Sequence, residues 1–303
     1  MEDAKVNTQI PNFQPLLKQS SSGNQFEVHQ QWFIIQRKII SEVYGEFDSL
    51  HTFKIYLYLC KYYNFNSGRT ERTKNRINND LKYTKTSANG KPKYPMNVRR
   101  SLEWLEKTGF IKRVSSDTQS WYRSKILVAP DYHPAKKQFF ACPELQLDFQ
   151  NLKDHNQGYI RLPQKAIKDS MLANTTLAKR EWTERKLKTL ILLYAHCWLE
   201  YFGGIDPAVV AIDPNGAITL DEGFCYTLKR STKDITKTVI SLIKDGLFQP
   251  VRCLFEDGIY TGDVGTYHPT AKTIERVVLR PTHLISSTVE SEAMKNKKGK
   301  IIL

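Results

Sequence analysis

The sequence predicts an α+β fold, mainly helical with small β-hairpins, built from one unit that occurs twice. Residues 97–111 align without gaps with residues 234–248. The apolar pairs that coincide are Val98 with Ile235, Leu102 with Val239, and Leu105 with Leu242. Because apolar residues three and four apart form one stripe on a helix, both segments are predicted to be amphipathic helices. The glycine after each helix, Gly109 or Gly246, is typical of a left-handed C-terminal cap.

The segments before these two helices match in order as well. In the first copy the predicted elements are a strand at 32–35, a helix at 50–63, and a short helix at 72–82 with Ile77 and Leu81 inward. In the second copy they are a strand at 159–162, a helix at 187–201, and a short helix at 220–228 entered through Asp213-Pro214-Asn215-Gly216. Two copies in matching order indicate a repeated fold.

A strand, a polar turn and a returning strand follow each glycine. The first hairpin is predicted at 110–114 and 121–128, and the second at 248–255 and 274–279, with Glu256-Asp257-Gly258 opening its turn. Three helices followed by a two-stranded hairpin is the order of a winged-helix domain. The predicted organisation is a flexible N-terminal arm at 1–27, winged-helix domain 1 at 28–130, a linker at 131–158, winged-helix domain 2 at 159–281, and a mobile basic tail at 282–303.

The chain is strongly basic, with a formal net charge of +14 over 303 residues and a pI near 9.4. This excess favours a polyanionic partner, because each Lys or Arg placed on a phosphate releases condensed counterions. The five cysteines are scattered without a CxxC pair, which is typical of reduced core cysteines in the cytoplasm. We find no secretory signal and no apolar run long enough for a membrane span, so we expect a cytoplasmic protein without membrane contact.

The sequence offers no constellation of catalytic residues. It has no GxxxxGK(S/T) phosphate loop, and its seven histidines are dispersed without a His-x-His pair. No cluster of Cys and His has the spacing of a zinc site. We therefore expect a non-catalytic protein that has no cofactor and binds no metal.

The outward face of the helix that begins near Asn97 and ends before Gly109 is the first candidate DNA contact surface. In a helix-turn-helix the second helix enters the major groove, where Arg suits guanine, Asn suits adenine, and Glu can accept from cytosine. A rotation of roughly 100° per residue defines this face, opposite the apolar stripe and flanked by Trp104. The candidate contacts of the first copy, including the basic segment before the helix and one wing residue, are Arg72, Lys74, Arg76, Lys91, Lys93, Tyr94, Asn97, Arg99, Arg100, Glu103, Lys107 and Arg123.

The second copy presents a smaller set of candidates. They are Lys229, Arg230, Lys233, Thr236 and Lys237. The wing of this copy contains Glu256, Asp257 and Asp263, which phosphate would repel. Either this wing points away from DNA, or the second copy makes fewer contacts and serves pairing. For both copies the alternative is that these charges are solvated side chains without a ligand.

The chain resembles the tandem winged-helix replication initiators of bacterial plasmids. The segments that carry the resemblance are Tyr159-Ile160-Arg161-Leu162-Pro163, the apolar helix at 190–199, Ile212-Asp213-Pro214-Asn215-Gly216, and residues 235–248. The resemblance spans residues of about 28–281 and implies double-stranded DNA as the partner. It further implies that both recognition helices bind directly repeated origin sites as a monomer, that a homodimer represses its own gene, and that the replication machinery is a partner.

Two other functions remain open at this stage. A transcriptional regulator would use the same winged helices, and a protein–protein interaction module would use the same faces for another partner. Direct repeats beside the gene favour an initiator, whereas a single palindrome at a promoter favours a regulator. Failure to bind any duplex at low salt would leave only the protein–protein module.

Overall fold

The computed structural model of the chain describes residues 9–10, 16–17, 27–29, 31–37, 39–40, 47–64, 69–70, 72, 74–83, 85–86, 92–93, 96–108, 110–111, 159–198, 203–260, 267–285 and 300–302. They form a mixed fold of helices and sheets, which fits the predicted α+β class. The chain divides into two compact units. We call Trp32–Leu187 the central unit, and Met1–Gln31 with Lys188–Leu303 the terminal unit.

The helices and strands follow the predicted order with additions. The described α-helices are α1 (Leu50–Lys61), α2 (Lys74–Asp80), α3 (Met96–Lys107), α4 (Asp169–Leu172), α5 (Thr176–Glu181), α6 (Glu184–Tyr194), α7 (Glu222–Thr227) and α8 (Thr232–Lys244). The described strands are β1 (Leu16–Leu17), β2 (Glu27–His29), β3 (Trp32–Gln36), β4 (Tyr63–Asn64), β5 (Arg69–Thr70), β6 (Lys85–Thr86), β7 (Pro92–Lys93), β8 (Tyr159–Pro163), β9 (Cys197–Trp198), β10 (Gly204–Ile205), β11 (Val210–Ile212), β12 (Ile218–Leu220), β13 (Phe248–Tyr260), β14 (Tyr267–Pro281), β15 (His283–Ile285) and β16 (Lys300–Ile302). A 3-10 helix lies at Gln164–Ala166. The helix predicted at 187–201 ends at Tyr194, and β9 follows it.

Helix α1 lies in the core of the central unit. Every residue from Thr52 to Lys61 is buried, as expected of a helix that is covered on all sides. The Ser49 side chain caps its first turn by accepting from the Thr52 N–H at 3.2 Å. Helix α1 packs on α3, where Thr52 Oγ1 donates to Ser101 Oγ at 2.8 Å. This contact places α3 against the centre of the unit.

Strands β3 and β8, which the sequence analysis aligned as equivalents, pair with each other. The ladder is antiparallel, from Trp32 opposite Pro163 to Gln36 opposite Tyr159. Its central pair is Ile34 with Arg161, which are also equivalent positions of the repeat. Residues 159–187, predicted to belong to the second domain, therefore lie in the central unit. The predicted linker at 131–158 and most of the predicted first wing lie outside the described residues.

The terminal unit is built on a mixed sheet. The strand order is β1-β13-β14-β11-β12, and β16 pairs with β13. Strands β13 and β14 form a long antiparallel hairpin. The turn predicted at Glu256-Asp257-Gly258 is wrong: β13 continues to Tyr260, and the ladder shows only a register irregularity between Glu256 and Gly258. Asp263 lies outside the described residues.

Parts of the predicted flexible arm and mobile tail belong to this sheet. Leu16 in β1 pairs with Val251 in a parallel ladder. Ile10 is buried, and its N–H donates to the Gly216 carbonyl at 3.0 Å. At the other end of the chain, β16 pairs antiparallel with β13. These residues of the predicted arm and tail are therefore paired in the structure, and the pairing satisfies their backbone polar groups.

The first helices of the two proposed helix-turn-helix pairs, α2 and α7, end in the same way. Two residues after each helix comes a lysine in the left-handed region, with φ of 55° at Lys82 and 50° at Lys229. The next N–H then donates back to a carbonyl five residues earlier, from Tyr83 at 2.8 Å in one copy and from Arg230 at 3.3 Å in the other. This is the hydrogen-bond pattern of a Schellman cap.

Helices α3 and α8 share a cap as well. The Phe110 N–H donates to the Leu105 carbonyl at 2.8 Å, and the Leu247 N–H donates to the Leu242 carbonyl at 3.1 Å. Gly246 has φ of 71°, as the sequence predicted for the residue that ends this helix. Both pairs of donors and acceptors fall at aligned positions of the repeat, so the two copies share local structure as well as apolar spacing.

The copies differ by inserted hairpins. A short two-stranded hairpin follows the long helix in each copy, β4–β5 after α1 and β9–β10 after α6. The first copy then inserts β6–β7 between α2 and α3, whereas the second inserts β11–β12 before α7. The segment Asp213-Pro214-Asn215-Gly216 lies in the turn of the β11–β12 hairpin. The insertions thus fall between helices and leave the helices themselves intact.

A lysine is buried inside the central unit. Lys54 of α1 is 1% exposed, and its Nζ donates to the Ala178 carbonyl in α5 at 3.3 Å. Burial, and to a lesser extent the charge of Lys179, lower the pKa of Lys54 to about 8. The Ala178 carbonyl also accepts from the Trp182 N–H at 3.0 Å. The hydrogen bond gives the buried amine a partner, but the ammonium charge remains costly to bury.

We predict that Lys54→Met changes how stability depends on pH. In the unfolded chain a lysine has a pKa of about 10.4, so between about pH 8 and 10 the unfolded wild type binds more protons than the folded one. The free energy of unfolding of the wild type should therefore rise with pH through this window, relative to Lys54→Met, by at most about 1.4 kcal/mol per pH unit. Denaturant unfolding from pH 7 to 10 measures this difference.

The matched control is Lys107→Met, which removes an exposed lysine. Its stability curve should run parallel to that of the wild type over the whole range. If the curve of Lys54→Met also runs parallel to the wild type, Lys54 is not a buried amine with a lowered pKa.

Candidate nucleic-acid interface

Helix α3 has the rotation that the sequence predicted. Val98 and Leu105 are fully buried and Leu102 is 7% exposed, so the apolar stripe faces the unit's interior. The predicted outward residues with described side chains are exposed: Asn97, Arg99, Arg100, Glu103 and Lys107. At roughly 100° per residue, Asn97 and Arg99 lie on opposite flanks of Arg100, and their amide and guanidinium groups are planar groups of the kind that contact base edges.

Two of these residues form an ion pair along the helix. Arg99 Nε donates to Glu103 Oε1 at 2.6 Å, and the side chains are 49% and 55% exposed. The spacing of four residues places the two groups on neighbouring turns. Arg100, on the next sector of the face, forms no ion pair with any described residue. The face therefore presents one tethered guanidinium and one untethered guanidinium.

Trp104 is held in an aromatic cluster on the flank of this face. Its ring stacks on Phe110, with centroids 5.6 Å apart and planes 16° apart. The Phe47 ring packs against both of these rings, with centroid distances of 5.6 and 4.7 Å. Trp104 is half-buried, so its ring helps to stabilise the C-terminal half of α3.

Arg76 of α2 is anchored by a carboxylate that the sequence analysis did not single out. Arg76 is exposed, and its Nε lies 2.9 Å from Asp80 Oδ2. The Tyr58 hydroxyl donates to the same oxygen at 2.6 Å. The hydrogen bond to Asp80, together with its charge, raises the pKa of Arg76 above its usual value. Asp80 thus connects an exposed cation of α2 to the buried helix α1.

Arg72 has a different environment. Its guanidinium carbon lies 3.8 Å from the centroid of the Tyr62 ring, within cation–π distance. The Tyr62 hydroxyl donates to Asp169 Oδ2 at 2.7 Å, and Lys61 Nζ donates to Asp169 Oδ1 at 2.7 Å. Burial and the bond to Asp169 raise the pKa of Tyr62 to about 12. Arg72 therefore packs on a fixed aromatic ring.

Some of the predicted contacts lie where the structure describes nothing of the side chain. Lys91, Tyr94 and Arg123 are outside the described residues, and only the backbone of Lys74 and Lys93 is described. These five assignments stay predictions.

Helix α8 of the terminal unit also has the predicted rotation. Ile235, Val239 and Leu242 are fully buried. Ser231 caps the helix by accepting from the Asp234 N–H at 3.2 Å, and its hydroxyl donates to Asp234 Oδ2 at 3.0 Å. Lysines dominate the charged part of the exposed face. The exposed basic residues of this helix and of the turn before it are Lys229, Arg230, Lys233, Lys237 and Lys244.

Thr236 does not fit its predicted role. It is 1% exposed, so its hydroxyl is not available to a DNA base. Ile240, one turn further along, is also buried at 8% exposure. Helix α8 packs on β12 and β13, so its buried face is wider than the three apolar positions that the alignment used. The assignment of Thr236 as a DNA contact is therefore corrected.

The two aligned helices consequently expose faces of different width. Arg99 and Glu103 of α3 occupy the positions of Thr236 and Ile240 in α8. The first pair is exposed, and the second pair is buried. At roughly 100° per residue, these two positions cover one strip of the helix surface. That strip is exposed on α3 and buried on α8.

The sequence analysis missed one exposed aromatic residue. Tyr226 of α7 is 84% exposed and lies one turn before Lys229 and Arg230. Helical spacing of its neighbours could have shown this, because Phe224, Cys225 and Leu228 take the buried face. Tyr226 therefore adds an aromatic ring beside the basic turn.

Among the described residues, no three or more His, Cys, Asp or Glu side chains come together as they would around a metal ion. In the same part of the chain, no helix has the length and apolar character needed to cross a membrane.

Comparison with known proteins gives no relative. No protein-family model, no curated protein and no solved structure matches this chain.

Proposed function

We propose that the protein binds double-stranded DNA in a sequence-dependent way, with α3 in the major groove. The single observation that carries the proposal is the exposed surface of α3, where Arg100 lies opposite the apolar stripe and Asn97 and Arg99 lie on its flanks near the helix N-terminus. In a helix-turn-helix this part of the second helix contacts base edges. We also propose that α3 and α8 each belong to a winged-helix domain.

The charge of the chain supports DNA as the polyanion. A net charge of +14 favours association with phosphate regardless of base sequence. The anchored Arg76 of α2 and the exposed Lys107 of α3 lie on the pair of helices that would contact both the groove and its backbone. Positive charge alone gives affinity, whereas planar side chains on α3 give discrimination between bases.

In this proposal the terminal unit contacts DNA in a different way from α3. Helix α8 exposes lysines, whose ammonium groups act as point charges and lack the planar fork that matches a base edge. With Thr236 and Ile240 buried, no side chain of that sector can reach a base. We assign α8 and the turn at Lys229 and Arg230 to phosphate contacts. Base recognition then belongs to α3.

Replication initiation at repeated origin sites is the biological role that the resemblance favours. The repeat of two helix pairs within one chain supports it, because a monomer with two unequal DNA-contacting helices suits direct repeats. A transcriptional regulator would use the same parts. Duplexes selected by the protein from the DNA of its source, followed by footprinting, separate the two: direct repeats support an initiator, and one promoter palindrome supports a regulator.

We predict that Arg100→Ala lowers affinity for a duplex selected by the wild-type chain by about 1–3 kcal/mol, because a base contact is lost. Affinity for a random duplex should fall much less. Fluorescence anisotropy at fixed salt measures both.

Lys179→Ala, which removes an exposed charge from α5, is the control and should leave the ratio of the two affinities unchanged. Equal losses on both duplexes would make Arg100 a phosphate contact, and a wild type that binds no duplex at low salt would refute DNA binding altogether.

We predict a different signature for Lys237→Ala on α8. Selected and random duplexes should lose affinity by the same factor, since phosphate contacts carry no sequence information. The slope of log affinity against log salt concentration should become shallower by about 0.9. Titrations from about 50 to about 300 mM salt measure the slope. A loss restricted to the selected duplex, with the slope unchanged, would contradict the assignment of α8 to the backbone.

A further inference from the structure

We propose that Arg99 contacts a guanine end-on through its two terminal nitrogens, and that Glu103 is the positioning residue that holds it in that orientation. The inference rests on the proposed function and specifies the base and the geometry that α3 recognises. It begins from the ion pair, in which Glu103 Oε1 accepts from Arg99 Nε at 2.6 Å.

The atom that Glu103 engages decides which part of the guanidinium remains available. With Nε occupied, the donors on Nη1 and Nη2 form the free end of the fork. Guanine presents two acceptors, O6 and N7, on its major-groove edge and no donor there. Two parallel N–H groups match those acceptors, whereas adenine offers one acceptor and one donor in the same place. The free end of Arg99 therefore suits guanine.

The ion pair of Arg99 and Glu103 is poorly suited to bind a DNA phosphate. Its two charges cancel, so it would release few counterions, and the carboxylate would be repelled by the DNA backbone. An exposed ion pair also contributes little to folding stability. Its physical effect is to restrict the Arg99 side chain, which lowers the entropy cost of ordering that side chain on a ligand.

Comparison of the two copies adds an independent observation. The positions of Arg99 and Glu103 correspond to Thr236 and Ile240 of α8, which are buried. The sector that carries the pair is therefore exposed only on the helix that also presents Asn97 and Arg100. The tethered arginine is thus part of a face that the other copy does not expose.

The experiment uses the full-length chain and a duplex that the wild type has selected from a random library. Each guanine is replaced in turn by 7-deazaguanine, which lacks N7, and by inosine, which retains O6 and N7 and serves as the base control. We expect one guanine at which 7-deazaguanine weakens wild-type binding about tenfold and inosine does not.

The protein variants are Arg99→Ala, Glu103→Ala and Glu103→Gln. Arg99→Ala should bind the guanine and 7-deazaguanine duplexes equally. Glu103→Ala should lose most of the discrimination, whereas Glu103→Gln should retain most of it, because the amide oxygen can still accept from Nε. Glu181→Gln, which removes an exposed carboxylate from α5, is the charge-matched control. Thermal unfolding checks that all variants fold.

Three outcomes would overturn the inference while leaving DNA binding intact. In the first, 7-deazaguanine has no effect at any position. In the second, Glu103→Ala raises affinity for selected and random duplexes by the same factor with discrimination unchanged, so that Glu103 is merely a repelling charge. In the third, the loss in Glu103→Ala maps to a cytosine, so that Glu103 itself contacts a base. Failure of the wild type to bind any duplex would instead refute the proposed function.

Discussion

Burial of one apolar stripe determines how α3 and α8 are rotated, and every statement about their outer faces depends on that rotation. Leu105 in α3 and Leu242 in α8 are both fully buried at aligned positions. Burying such a side chain contributes about 1.5–3 kcal/mol, which far exceeds what any exposed charge on the opposite face contributes. The outer face is therefore free to carry polar groups that do nothing for stability and are available for a ligand.

The caps at the ends of the preceding short helices, α2 and α7, have a second structural effect. A left-handed residue at Lys82 or Lys229 turns the chain out of the short helix at a fixed angle, and the hydrogen bonds from the next residue close the last turn. Glycine adopts this conformation more readily than lysine, so both lysines carry a backbone cost. That both copies retain this conformation, despite unlike inserted hairpins, indicates that the path out of the first helix matters more than the length of the connection.

The local part of this structure could be predicted from sequence, and the long-range part could not. Helical periodicity was sufficient for the rotation of α3 and for the exposure of Arg100, because both follow from neighbours within two turns. The pairing of β3 with β8 joins residues more than a hundred positions apart, and alternation within a strand does not specify its partner. Thr236 was misassigned for a related reason: the strands packed beside α8, rather than its own apolar spacing, bury it.

If the proposed function holds, the ion pair of Arg99 and Glu103 makes net charge a weak guide to recognition. Summed over the chain, the pair contributes nothing to the net charge of +14. In a DNA complex, long-range attraction would come from lysines on both units, and it would be the same for every sequence. Discrimination requires donors fixed in a plane, and in the proposed complex the pair would supply this, because Glu103 holds the Arg99 guanidinium at its Nε. For a DNA-binding protein, a carboxylate on the recognition helix can therefore increase specificity even as it decreases the net attraction.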